Sequence, residues 1–224
     1  MSKITFDTIK KVIAKYTTKE VLMPIIKETV ETVVFVLVAV ILIRFFIGEL
    51  RWIPSGSMRP ILLEKDRLFV EKISRWYRAP QRGDILVFYP PGGELKYNLW
   101  ALFTRYTGIA CKDIAYIKRV IGLPGETVEI KENEEGEYNV YINGKELNEP
   151  YIQSKTEWTK CSEIVDCGPT VVPEGEYFMM GDNRGNSQDS RYWGSMPKDH
   201  IIGHSVFVFW PLDRIKRLRT VTTY

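Results

Sequence analysis

Eleven apolar residues in unbroken succession, Val33–Ile43, restrict this chain more than any other stretch. From Thr32 to Gly48 there are seventeen residues with Arg44 as the only charge. As a helix they span about 25 Å, the short end of what crosses a bilayer, with Arg44 able to snorkel to the interface beside Phe45 and Phe46. The alternative is a buried strand or core helix. Eleven residues exceed a typical strand, and nothing polar marks a solvent face, so the pattern predicts one transmembrane helix over 32–48. Residues 1–31 hold six Lys and four acids and read as a soluble or surface-lying helical leader, not a cleaved signal peptide, because no apolar run directly follows the charges. Windows flanking the span hold three and four basic residues, so positive charge leaves its direction open.

Beyond the span the chain is β-rich. Arg67–Val70, Asp84–Tyr89, Ala115–Ile121, Glu176–Met180 and His204–Trp210 read as strands, several stopped by Pro and Gly clusters. Asn143-Gly144 between Tyr138–Ile142 and Lys145–Leu147 predicts a type I′ hairpin. The expected fold is mainly β. Antiparallel sheets form a core from 52–126 and 174–216, a small β subdomain is inserted at 127–173, and 217–224 forms a tail. Leu99–Phe103 is an apolar cluster, read as core with membrane-surface contact as the alternative, and Leu95–Lys112 otherwise carries no motif.

Thirty-one Lys and Arg against 28 Asp and Glu leave +3, and no basic stripe interleaves with aromatics, which argues against nucleic acid as a partner. Cys161 and Cys167 enclose a short loop whose closure as a disulfide would contribute about 2 kcal/mol in an oxidising compartment. Two free thiols fit the spacing equally well, and Cys111 has no evident partner. Four clustered zinc ligands are absent from the sequence, whose only histidines are His200 and His204.

The chemistry-bearing stretch is Ile53-Pro54-Ser55-Gly56-Ser57-Met58-Arg59-Pro60, about nine residues past the apolar run. Two hydroxyls flank a Gly, and prolines restrict the ends. By composition this is also an ordinary turn. No Gly-x-Ser-x-Gly elbow surrounds Ser57, which weakens a Ser-His-Asp reading with His200 or His204. A Ser-Lys pair is the other possibility, in which a neutral amine takes the hydroxyl proton. Lys118 alternates with Tyr116 and Val120 on one strand face, either as an edge residue reaching solvent or as a buried amine of lowered pKa.

Four blocks in order supply the link between Ser57 and Lys118. They are Pro54-Ser55-Gly56-Ser57-Met58 with Pro60; Arg82-Gly83-Asp84; Tyr116-Ile117-Lys118-Arg119 running into Gly122-Leu123-Pro124-Gly125-Glu126; and Gly181-Asp182-Asn183-Arg184 with Asn186-Ser187 and Asp189-Ser190-Arg191. Over roughly residues 30–214 the chain resembles the type I signal peptidases, membrane serine endopeptidases that remove signal peptides from exported precursors after small-x-small sites such as Ala-x-Ala. The resemblance implies Ser57 as nucleophile, Lys118 as general base, and Ser55 with the Ser57 N–H as oxyanion donors. It also implies Ser187 as the hydroxyl orienting the Lys amine, Asp189 and Arg191 as loop supports, and Ile53, Met58, Leu62, Tyr116 and Ile117 as walls of a shallow pocket. It further implies no metal or organic cofactor, signal peptides and membrane lipid as partners, and an inner-membrane protein whose catalytic domain is extracytoplasmic. A related Ser/Lys peptidase with one dedicated substrate, or a non-catalytic peptide-binding β domain, are the competing readings.

Overall fold

The structure is a computed structural model that describes residues 19–91, 98–107, 114–156, 158, 165–218 and 220, together with Asp7 and Lys10. It divides into two units, Met1–Ile43 and Arg44–Tyr224.

In the first unit the helix runs Lys19–Leu42, and a π-helical turn covers Ile43–Ile47, of which Arg44–Ile47 belong to the second unit. The helix therefore takes in part of the expected leader as well as the start of the expected span at Thr32. Lys27, Glu28 and Glu31 do not stop a helix, and Lys27 lies 3.9 Å from Glu31 one turn on. Thr29 and Thr32 donate their hydroxyls to the carbonyls of Ile25 and Glu28 at 2.7 and 2.8 Å, so neither side chain needs an outside partner. The stretch Val21–Ile47 is long and apolar enough to cross a membrane, and its apolar side chains are largely exposed, Phe35 at 73%.

The second unit is built on antiparallel sheets. Strands β1 (Gly48–Trp52), β2 (Arg67–Glu71), β3 (Ile85–Phe88), β4 (Tyr116–Gly122), β9 (Glu176–Met180), β10 (Met196–Pro197) and β11 (Ile201–Trp210) form one sheet in the order β1-β2-β11-β3-β4-β9-β10, and β12 (Lys216–Arg217) pairs with β11. A second sheet, in the order β7-β6-β5-β8, holds β5 (Thr127–Glu132), β6 (Tyr138–Ile142), β7 (Lys145–Glu146) and β8 (Thr170–Val171). Asn143 and Gly144 take φ of 51° and 80° between β6 and β7, the positive pair that a type I′ turn demands.

Strand β4 joins the two layers. Its burial leaves only Tyr116 partly open, because β3 and β9 flank it and side chains cover both faces. At its end Gly122 has no room for a side chain: a Cβ there would lie 2.5 Å from Val128 and 2.9 Å from Phe178. Ile121 then packs with Val128, Ile130, Val140 and Ile142 of the second sheet, while Ile117 packs with Ile53, Met58 and Leu62 on the first.

One expected core segment is not core. Leu99–Thr107 is a helix whose Leu99 and Trp100 are 88% and 67% exposed, with Trp100 stacked on Phe103 at 5.7 Å. Cys161 and Cys111 lie outside the described residues; Cys167 is disulfide-bonded.

Candidate active site

Ser57 sits in a short 3-10 turn, Gly56–Met58, entered from extended Ser55. Loop 181–186 fixes this turn from outside: the Asn183 N–H donates to the Ser57 carbonyl at 3.0 Å, and Asn183 Nδ2 donates to the Gly56 carbonyl at 3.1 Å. Lys118, in the middle of β4, donates from Nζ to Ser57 Oγ at 2.7 Å across 61 positions of sequence. Both side chains are buried, at 7% exposure for Ser57 and 5% for Lys118. The edge reading of Lys118 is thereby excluded. Ser55 is exposed, with its Oγ 3.5 Å from Ser57 Oγ.

Burial strips water from the Lys118 ammonium and lowers its pKa to about 8; the charges of Asp189 and Asp182 oppose that shift, and Arg191 adds to it. The amine is thus substantially neutral in mildly alkaline solution, the state a proton acceptor needs.

The loop after β9 is held by charge. Asp189 accepts from the Gly181 N–H at 3.1 Å and pairs with Arg191 at 2.8 Å, and Arg191 Nη2 reaches the Arg184 carbonyl at 2.8 Å. Arg119, next to Lys118 but on the opposite face, grips Asp182 through Nε and Nη2 at 2.7 Å each, donates from Nη1 to the Gly83 carbonyl, and lies 3.9 Å from the Tyr151 ring. Gly181 has no space for a side chain. A Cβ would stand 2.3 Å from Ser187 Oγ and 2.5 Å from the Ser57 carbonyl oxygen, so the absence of a side chain brings the loop onto the Ser57 turn.

Ser187 is brought close by this arrangement, but its buried Oγ makes no hydrogen bond, so the expected bond orienting Lys118 is not formed here. A cavity of about 340 Å³ opens at Ser57, with walls from Pro54–Gly56, Ile114–Ile117, Asn186 and Gln188. A second, of about 250 Å³, shares Pro54 and Ile114–Ile117 and adds Ile53. Tyr116 and Ile117 line both cavities and Ile53 lines the second. Met58 and Leu62 line neither: both are 0% exposed and packed in the core, because the chain turns inward directly after Ser57. The histidines serve elsewhere. His204 Nδ1 is 2.7 Å from Ser74 Oγ, and His200 Nδ1 is 2.9 Å from the Tyr89 carbonyl, so neither joins Ser57 in a triad.

Sequence reasoning passed over Asn183 and Gly181 as individual positions. Their signal was the dense polar loop Gly181–Arg191 directly after an apolar strand, where turn residues and alternating charges leave no ordinary solvent face.

The family model described as signal peptidase, peptidase S26, matches residues 26–210. The signal peptidase I of Leptolyngbya laminosa is 41% identical over 197 residues, covering 88% of this chain and 86% of its own. The probable signal peptidase I-1 of Synechocystis sp. is 42% identical over 202 residues, covering 88% and 89%. The signal peptidase I of Bacillus licheniformis is 37% identical over 194 residues, covering 85% and 91%.

Proposed function

The chain belongs to the signal peptidase, peptidase S26, family, and from that premise we propose that it is a membrane-anchored serine endopeptidase cleaving signal peptides from exported precursors after small-x-small sites. The observation that carries this reading is the 2.7 Å contact between Lys118 Nζ and Ser57 Oγ, with both groups buried.

In the proposed reaction neutral Lys118 takes the proton of Ser57 as Oγ attacks the scissile carbonyl. The Ser57 N–H and the Ser55 hydroxyl, whose Oγ lies 3.5 Å from Ser57 Oγ, then donate to the oxyanion. The Lys118 ammonium returns the proton to the departing amine, leaving a Ser57 ester. A water, deprotonated by the again neutral Lys118, hydrolyses that ester and restores the hydroxyl. Ser187 serves as an acceptor for the amine once substrate is bound, and Asp189 with Arg191 keeps its loop in place.

The cleft between Pro54-Ser55 and Ala115–Ile117 opens directly at Ser57 and supports an extended substrate lying across it, with the small-x-small preference following from the family reading. The proposed architecture is a core from 52–126 and 174–216 around an insertion at 127–173. The helix Lys19–Leu42 anchors the chain once in the inner membrane, with the catalytic unit on the extracytoplasmic side, so that enzyme and membrane-held precursor share one surface and meet at high effective concentration.

The test is turnover of an Ala-x-Ala precursor peptide by Ser57→Ala and Lys118→Met. Loss of cleavage in both, with folding intact, is expected; retained turnover in either purified variant sinks the dyad.

A further inference from the structure

Three arginines are among the most deeply buried side chains of the protein: Arg119, Arg184 and Arg191, each at or below 2% exposure. A buried guanidinium needs a carboxylate. Arg119 has Asp182 and Arg191 has Asp189, both from the loop that carries Ser187. That loop has no third acid for Arg184. Its partner is Glu149, which follows β7 in the small-sheet segment and is itself 6% exposed.

The contact is two-pronged. Arg184 Nη1 donates to Glu149 Oε2 at 3.0 Å and Nη2 to Oε1 at 2.5 Å. Tyr151 donates its hydroxyl to the same Oε1 at 2.8 Å, and the Trp158 ring lies 4.6 Å from the Arg184 guanidinium. With these groups fixed, Arg184 Nε is aimed at the carbonyl of Gly181, 2.9 Å away. Gly181 is the residue whose missing side chain admits both Ser187 and the Ser57 carbonyl, and its N–H is already tied to Asp189. The two peptides flanking Gly181 are therefore each gripped, the one before it by Asp189 of the loop and the one after it by Glu149 of the small-sheet segment acting through Arg184.

We propose that Glu149 is a positioning residue for the Ser57/Lys118 pair: the small sheet sets the geometry of the nucleophile turn through Glu149, Arg184 and Gly181. The proposal rests on the Ser/Lys reading above. Glu149 touches neither substrate nor Lys118. It keeps Arg184 from seeking Asp182 or Asp189, the two acids whose charge faces Lys118 together with that of Arg191. Loss of the Glu149 charge leaves one uncompensated cation in this group, which favours the neutral form of the Lys118 amine while loosening the Gly181 hold.

The experiment uses the full chain in detergent micelles, an Ala-x-Ala precursor peptide, and kcat and KM measured from pH 6 to 10. In Glu149→Gln we expect kcat to fall about 10- to 100-fold with KM within about threefold, because a misplaced nucleophile weakens chemistry more than binding. The acidic limb should move to lower pH. Arg184→Gln should show a similar loss, and the double variant should be no worse than the poorer single one, since the two act as one unit. Glu149→Asp keeps the charge at shorter reach; it should give an intermediate kcat with the limb unmoved, and it serves as the readout if Glu149→Gln does not fold. Parent-like kcat and pH profile in Glu149→Gln, or losses that multiply independently in the double variant, would overturn the proposal while leaving the dyad standing. Turnover by Ser57→Ala in the same assay would instead overturn the dyad itself.

Discussion

Two lysines are buried in the second unit to almost the same depth, Lys72 at 4% exposure and Lys118 at 5%, and they meet different partners. Lys72 lies 2.9 Å from Glu49, a carboxylate that also receives Arg51 at 2.5 Å and Arg44 at 3.2 Å. Lys118 meets a hydroxyl. Burial pulls both pKa values down, but at Lys72 the adjacent Glu49 charge pushes back through contact, whereas the acids acting on Lys118 are not its hydrogen-bond partners. Depth alone does not make a base. What separates Lys72 from Lys118, and supports the base role proposed for Lys118, is that the nearest acceptor carries a charge in one case and not in the other.

The largest test of that contrast is to remove each amine. Lys118→Met should lower kcat by about 10⁴-fold or more while the chain stays folded, a loss typical of a proton acceptor in covalent catalysis. The same assay on Lys72→Met should stay within about threefold of the parent. Comparable losses in both would erase the distinction.

A second test follows from the pKa of about 8 at Lys118. The rate should rise about tenfold per pH unit up to roughly that value and then level off; a limb near the free-lysine value of about 10.4 would mean the amine is not desolvated. The stability consequence has a definite sign. The folded pKa is depressed, so the unfolded chain binds the proton more tightly, and stability rises as pH climbs from about 8 toward 10.4. Lys118→Met should accordingly be more stable than the parent at pH 7, by on the order of 2–3 kcal/mol in denaturant titrations, and the advantage should vanish near pH 10.5.

Lys72→Met should move stability the other way. Breaking a buried pair costs about 3–5 kcal/mol when the remaining charge is left alone; with Arg44 and Arg51 still on Glu49, a loss of about 1–3 kcal/mol is expected in the same titration. A gain would show that the pair is not stabilising. The smallest effect expected is at Asn183→Ala, which removes one side-chain hydrogen bond to the nucleophile turn: a fall in kcat of about tenfold, with stability lowered by about 1 kcal/mol. Parent-like kcat there would confine positioning of the turn to the backbone bond from Asn183.

Much of the scaffold was readable from local chemistry. Asn143-Gly144 specifies its turn through two positive φ values, and strands such as Glu176–Met180 announce themselves by β-branched or aromatic residues between turn signals. The meeting of Ser57 with Lys118 was not readable in that way. Spacing across 61 positions carries no distance, and only the ordered motifs linked the two. The resemblance implies Met58 and Leu62 as pocket walls, yet a matching motif says nothing of which way a side chain faces after a 3-10 turn, and both turn into the core. The N-terminal helix shows no break at residue 32, where the helical leader meets the apolar run, because helices tolerate charge. Least visible were the buried arginines, since by residue type an Arg reads as surface.

Those arginines also narrow what the chain can become. Arg119 uses two nitrogens on Asp182, a third on the Gly83 carbonyl, and the flat of its guanidinium against Tyr151. A lysine keeps the charge but offers a single point of donation and no plane to stack. The exchange that looks mildest on paper, lysine in place of Arg119, would therefore leave the Asp182 carboxylate and the Gly83 carbonyl short of donors in a site with almost no access to water.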